Sequence, residues 1–323
     1  MKKTKKVAPK KAAKKAVKKV AKKTATKKVA PKKGKLAVKK AAKRAQAITK
    51  KTVTTTTTVT TTISKVSPKE THYLLVLDES TSMGPVRGET LSGLNEQIKT
   101  IKNLDKKYPK QKYFISIVKF STNVSTLIEN VPASQIKELK SEDYMPNGWT
   151  ALHDAIGMGI NNLKNRIESK LKTGEASALV VILTDGEENR STEFNASKIK
   201  ALVTELEATG MWTFAFIGAN QDSVLTADNL GFNRSNTVNY AGSSVGTTLA
   251  FATLSSAMGK RAAYTTAGVY GATTSNFMSS VTAGSASIGE DASLLDLSGT
   301  ISTADIENAK KIIEDKDGSK TNK

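Results

Sequence analysis

The chain has 323 residues, no cysteine and a formal net charge of +21, which excludes a disulfide framework, thiolate metal sites and thiol nucleophiles. The charge is uneven: residues 1–51 hold 23 of the 50 Lys and Arg and no acidic residue, so the rest of the chain is net −2. No stretch approaches the ~20 apolar residues that span a bilayer, and no apolar run follows the basic start as in a signal peptide, so a soluble, cytoplasmic protein without a membrane span is expected.

Residues 1–51 are a Lys/Ala-rich tail in which Lys-Lys-Val-Ala-Pro-Lys-Lys occurs at 5–11 and again at 27–33. Such a segment repels itself and has little apolar surface to bury, so it is expected to be disordered alone. Its phrasing resembles the tails of linker histones and lysine-rich bacterial histone-like proteins. Lys2, Lys3, Lys5, Lys6, Lys10, Lys11, Lys14, Lys15, Lys18, Lys19, Lys22, Lys23, Lys27, Lys28, Lys32, Lys33, Lys39, Lys40, Lys43 and Arg44 are its candidate phosphate contacts with DNA or RNA, through counterion release that reads no sequence. A Thr-rich linker is expected at 52–67.

From Thr71 the pattern changes. Tyr73–Leu77 is a short apolar run ending at Asp78, as in a buried parallel strand, and Leu91, Leu94, Ile98, Ile101 and Leu104 give a helical spacing over about 90–106. Further buried strands are predicted at Tyr113–Phe120, Ala178–Leu183 and Trp212–Ile217, with helices at about 151–166 and 195–209. Ser125–Asn130 adds a short antiparallel strand and Ser244–Ala257 a closing helix. The alternation predicts a doubly wound α/β domain over 68–258, a mostly parallel sheet with helices on both faces. Residues 259–323 are rich in Ala, Gly, Ser and Thr; beyond about 262 they are expected to be loosely ordered, with a short helix at 303–315 capped by Thr303 or Asp305.

The chemistry sits in Asp78-Glu79-Ser80-Thr81-Ser82-Met83, at the carboxyl end of the first strand, where open α/β sheets bind ligands. Asp78 and the hydroxyls of Ser80 and Ser82 supply oxygen donors from one loop, a set suited to a hard dication such as Mg²⁺, and further oxygens have to come from elsewhere. Asp-x-Ser-x-Ser after a first strand resembles the von Willebrand factor A domain signature. Gly148-Trp149-Thr150-Ala151-Leu152 and Leu183-Thr184-Asp185-Gly186 resemble its second and third ligand loops. The resemblance implies a Rossmann-like fold and a metal-ion-dependent adhesion site of Asp78, Ser80, Ser82, Thr150 and Asp185. It also implies bound Mg²⁺ or Mn²⁺ and a protein partner that presents an Asp or Glu carboxylate to the metal. Thr184–Asn189 and Phe216–Asp222 resemble a branch found in bacteria and phages.

Other residues are expected to be structural. Glu79 is expected to add negative potential near the metal, and His72 and His153, each near a ligand loop in sequence, to be surface or packing histidines. Gly157-Met158-Gly159 lacks the third glycine of a dinucleotide loop. Trp149 is expected to anchor a loop and Trp212 to sit in the core. The leading function is therefore a non-enzymatic docking module tethered to nucleic acid, in the cytoplasm and in part at the nucleoid. The alternative is a packaging component of a nucleoid, virus or phage, found in the virion if phage-encoded. A hydrolase that activates water at the metal is disfavoured, since no general base or nucleophile pair is evident.

Overall fold

The computed structural model describes residues 67–219, 223–281, 287–288 and 301–318. The basic tail with its candidate phosphate contacts, residues 52–66 and Leu294, Leu295 and Leu297 lie outside the described residues.

The strands are β1 (Glu70–Asp78), β2 (Lys112–Phe120), β3 (Val124–Pro132), β4 (Ala176–Thr184), β5 (Trp212–Ala219), β6 (Thr237–Tyr240) and the two-residue β7 (Ser287–Ile288). They form one sheet in the order β3-β2-β1-β4-β5-β6-β7. Every neighbouring pair is parallel except β2 with β3. The helices are α1 (Arg87–Lys107), α2 (Leu152–Lys172), α3 (Ala196–Glu207), α4 (Ser223–Asn229), α5 (Ser244–Thr266) and α6 (Thr303–Gly318).

The continuous apolar runs of β1 and β4 follow from burial on both faces of the sheet. Tyr73, Leu75 and Leu77 pack with Ile98, Ile101 and Leu104 of α1 and with Leu254 and Met258 of α5. On the opposite face, Leu74 and Val76 meet Ile156, Ile160 and Leu163 of α2 and Ile199 and Val203 of α3. This is the doubly wound α/β arrangement the alternation predicts. Where α1 crosses α5, a Cβ on Gly93 would lie 2.1 Å from the Phe251 ring, so only glycine permits that approach. Asn195 caps α3 by accepting from the Lys198 amide at 3.0 Å, and Ser243 caps α5 by accepting from the Gly246 amide at 3.2 Å.

Three details differ from expectation. α5 runs on to Thr266, and Phe277, Met278 and Val281 are buried in the same core as α1, so residues 262–281 are packed rather than loose. Their few large apolar residues are scattered without periodicity among small ones, which hides the packing from a pattern search. α6 starts on a reciprocal cap between Ser302 and Asp305, in which the Ser302 amide donates to Asp305 Oδ2 at 3.0 Å and the Asp305 amide to Ser302 Oγ at 3.1 Å. Among the described residues no helix is long and apolar enough to cross a membrane.

Candidate metal centre at the carboxyl edge

β1 and β4 are neighbours and end together, which brings Asp78 beside Thr184 and Asp185. Asp78 is fully buried. Its Oδ1 accepts from the Ser80 amide at 2.7 Å and its Oδ2 from the Thr184 hydroxyl at 2.5 Å. Among the described residues no ammonium or guanidinium pairs with it. Ser80 Oγ lies 2.9 Å from Ser82 Oγ, and Ser82 Oγ donates to Asp185 Oδ1 at 2.7 Å. Thr150 comes from the loop before α2, and Gly186 marks where these groups converge. A Cβ added there would lie 3.3 Å from Thr150 Oγ1, 3.6 Å from Asp78 Oδ2 and 3.6 Å from Ser82 Oγ. The five sequence-predicted residues thus gather around one small space lined by oxygen.

The electrostatics of that space are strained. Burial pushes the Asp78 carboxyl up to about 6, with Thr184 and Ser80 opposing as donors and Asp185 adding to the rise; burial also raises Asp185. Two carboxylates held close in a poorly solvated pocket resist ionising together, and a dication would offset their charge. Among the described residues no three His, Cys, Asp or Glu side chains group as a metal cluster. Two carboxylates with neutral hydroxyls form a hard-oxygen set instead, which fits Mg²⁺ or Mn²⁺ by donor type.

A surrounding set of side chains holds the loops, and sequence reasoning missed it. The Thr150 amide donates to Asn189 Oδ1 at 2.9 Å and the Asn189 amide to the Thr150 carbonyl at 3.1 Å, which locks the second loop to the third. Asp154, in the first turn of α2, accepts from the amides of Thr192, Glu193 and Phe194 at 2.8–3.0 Å. Glu188 accepts from the amides of His153, Arg190 and Ser191 and from the Ser191 hydroxyl. Both acids are held below the ordinary carboxylate range because these donors outweigh the opposing burial. The sequence signal was an acid in the first turn of a helix and the Glu188-Asn189 pair after Asp185.

Of the secondary expectations, those for Glu79 and Trp149 need correction, while His72 and His153 pack away from the oxygen set as expected. Glu79 does not aim negative potential at the site: its carboxylate pairs with Lys119 at 2.8 Å and accepts from the Met145 amide at 2.6 Å, fastening the 143–148 loop. His72 is remote from the ligand loops, near the amino end of β1, where it stacks on Phe114 at 4.7 Å and its Nδ1 lies 2.7 Å from Asn130 Oδ1. His153 meets Glu188 at 3.5 Å rather than the oxygen set. Trp212 is a core residue as expected, but Trp149 is 62% exposed rather than buried as a loop anchor.

The family model for the von Willebrand factor type A domain matches residues 74–249. Similar solved structures include a von Willebrand factor type A protein from Catenulispora acidiphila, at 15% identity and TM-score 0.41, covering 62% of this chain and 43% of that one. A second is proximal thread matrix protein 1 from the mussel byssus with its MIDAS motif occupied by zinc, at 14% identity and TM-score 0.38, covering 55% and 43%. A third is the manganese-loaded TRAP protein of Plasmodium vivax, at 17% identity and TM-score 0.37, covering 55% and 70%. The chain spans less than half the length of the first two. No curated protein matches it. With more than half of its length matched by the family model, the chain belongs to the von Willebrand factor type A domain family.

Proposed function

We propose that Asp78, Ser80, Ser82, Thr150 and Asp185 hold a Mg²⁺ or Mn²⁺ ion and that the domain docks a protein partner through an Asp or Glu side chain of that partner. The observation that carries this reading is the convergence of Thr150 Oγ1, Asp78 Oδ2 and Ser82 Oγ on the space beside Gly186. Two ionised carboxylates balance one dication. Hard divalent ions favour higher coordination than such side chains supply, which leaves room for a carboxylate from outside. When bound, the ion supplies a positive point that recruits an acidic ligand.

The chain's own residues prepare that point. Asn189 orients Thr150, Thr184 and the Ser80 amide orient Asp78, and Glu79 fixes the loop that carries Met145 and Gly148. These residues position ligands, which favours docking over turnover as the role. The N-terminal tail is read as a nucleic-acid arm. Linked to the domain by a Thr-rich spacer, it would concentrate the docking site at DNA or RNA without contacts between the two, in keeping with a cytoplasmic or nucleoid-associated protein.

Calorimetric titration of the full chain with Mg²⁺ and with Mn²⁺ tests the metal reading. Saturable one-site binding is expected, lost in Asp78→Ala and weakened in Thr150→Ala, with circular dichroism showing that both variants fold. A folded wild-type chain that binds neither ion would overturn it.

A further inference from the structure

We propose that the opposite, amino edge of the sheet is a contact surface for the phosphate backbone of nucleic acid, formed by Lys69, Lys106, Lys107, Lys110 and Lys112. All five are exposed, and among the described residues none forms an ion pair. The lysines that flank this edge behave differently: Lys99, Lys164, Lys170 and Lys172 lie 3.6, 3.0, 2.8 and 2.9 Å from glutamates. The acids close to the five in the chain or across the strand ends are few. Glu70 is committed to Lys170, leaving Asp105 and Glu175.

The fold displays these lysines from a fixed frame. The Lys112 amide donates to the Lys69 carbonyl at 2.8 Å, tying the starts of β1 and β2 together, and the Gln111 amide closes a turn onto the Tyr108 carbonyl at 2.9 Å. Gln111 is buried, donates to Thr266 Oγ1 at 2.6 Å and accepts from the Tyr113 hydroxyl at 2.7 Å, so the turn is nailed to α5 and the core. Lys106 and Lys107 also complement the negative end of α1. That explanation does not extend to Lys69, Lys110 or Lys112, which lie outside the helix.

A row of lysines without ion-pair partners, with only the Tyr108 ring under Lys107 as an aromatic companion, suits phosphates rather than a lipid surface. Among the described residues, the large apolar side chains that are exposed, Met145, Trp149, Leu225 and Val245, belong to segments at the other edge. β1, nine residues long, separates the two edges by about 26 Å, so a polyanion at one leaves the metal centre at the other open. The proposal rests on the nucleic-acid reading of the N-terminal segment, which precedes β1 in the chain. Attached to one molecule, the two act as linked sites.

The test uses the full chain and a fluorescent 20-base-pair duplex DNA, with affinity followed by anisotropy across a salt series. The edge variant carries Lys106→Gln, Lys107→Gln, Lys110→Gln and Lys112→Gln; a control of equal charge change carries Lys99→Gln, Lys140→Gln, Lys164→Gln and Lys172→Gln, and thermal unfolding confirms both folds. Each lost phosphate contact lowers the log–log salt slope by about 0.9. The edge variant is therefore expected to lose on the order of 2–4 units of slope and at least about tenfold in affinity at low salt, while the control keeps its slope. Equal slopes for the two variants, with the wild type binding, would overturn the edge alone. A wild type that does not bind would overturn the tail reading and the edge together.

Discussion

The two ends of the sheet solve opposite problems with opposite charges. At the carboxyl edge, acids are drawn inward: Asp78 is fully buried, Asp154 nearly so, and each is met by amides and hydroxyls rather than by cations. At the amino edge, the lysines at the starts of β1 and β2 face outward, and Arg261, a buried cation of α5, donates to neutral groups. Its guanidinium donates to Thr213 Oγ1 at 2.7 Å and to the Tyr270 hydroxyl at 2.8 Å, and lies over the Tyr270 ring. Asp78, Asp154 and Arg261 are thus met by dipoles rather than by a counter-charge.

Within the carboxyl edge there is a further division. Asp154 and Glu188 have enough donors to be held ionised; Asp78 and Asp185 do not, and rise. The former pair stabilises loops, and in the latter pair burial outweighs the donors. Asp154→Ala should test the first half with the largest effect. Three backbone amides would lose their acceptor, each worth about 1–3 kcal/mol where water cannot replace it. A fall of about 3–5 kcal/mol in unfolding free energy is expected in urea titration, and a loss under about 1 kcal/mol would mean the 192–194 turn holds without its carboxylate.

The pH dependence tests the other half, with a smaller effect. For Asp78 and Asp185 the folded state holds its protons to higher pH than the unfolded chain. In the metal-free protein their contribution to stability is present at low pH and is lost as pH rises through the folded value, about 6 for Asp78. Asp154 and Glu188 run the other way: their contribution is present at neutral pH and is lost as pH falls. Since a dication competes with the proton on Asp78, Mg²⁺ affinity should fall about tenfold per pH unit below about 6, one proton being displaced per ion. Titrations at pH 7.5, 6 and 5 check this. An affinity flat across that range would separate Asp78 from the ion.

Much of this division can be read in the sequence, and the part that cannot has a physical reason. The buried strands announce themselves because parallel strands are apolar on both faces, and Asp78 marks the end of the first one. Asp78, Ser80 and Ser82 share one loop, so their spacing suffices; Thr150 and Asp185 needed the family pattern, because only the strand order β2-β1-β4 places their loops beside it. Asn189, Asp154 and Glu188 escaped because their partners are backbone amides, which leave no mark in composition. β6 and α4 span only four and seven residues and are too short to show a period. Glu79 was misread for the same reason that Arg261 went unnoticed: a charge in sequence does not reveal which neutral groups or ions will meet it.

The smallest expected effect concerns the two tryptophans, one in each environment. Trp212 is buried at the start of β5, stacked against Phe214 at 5.9 Å, and its removal belongs to the class of core truncations that cost about 3–5 kcal/mol. Trp149, immediately before Thr150, has most of its ring in solvent, and only its backbone amide is engaged, with Thr122 Oγ1 at 3.1 Å. Trp149→Ala should therefore change unfolding free energy by no more than about 0.5 kcal/mol and leave Mg²⁺ affinity unaltered, since the backbone contact survives. Equilibrium unfolding in urea, read beside the metal titration, decides it. A loss of 2 kcal/mol or more would show that the ring packs onto the loop after all, and the division between a rigid, internally satisfied interior and an outward-facing rim at the carboxyl edge would have to be redrawn around Thr150.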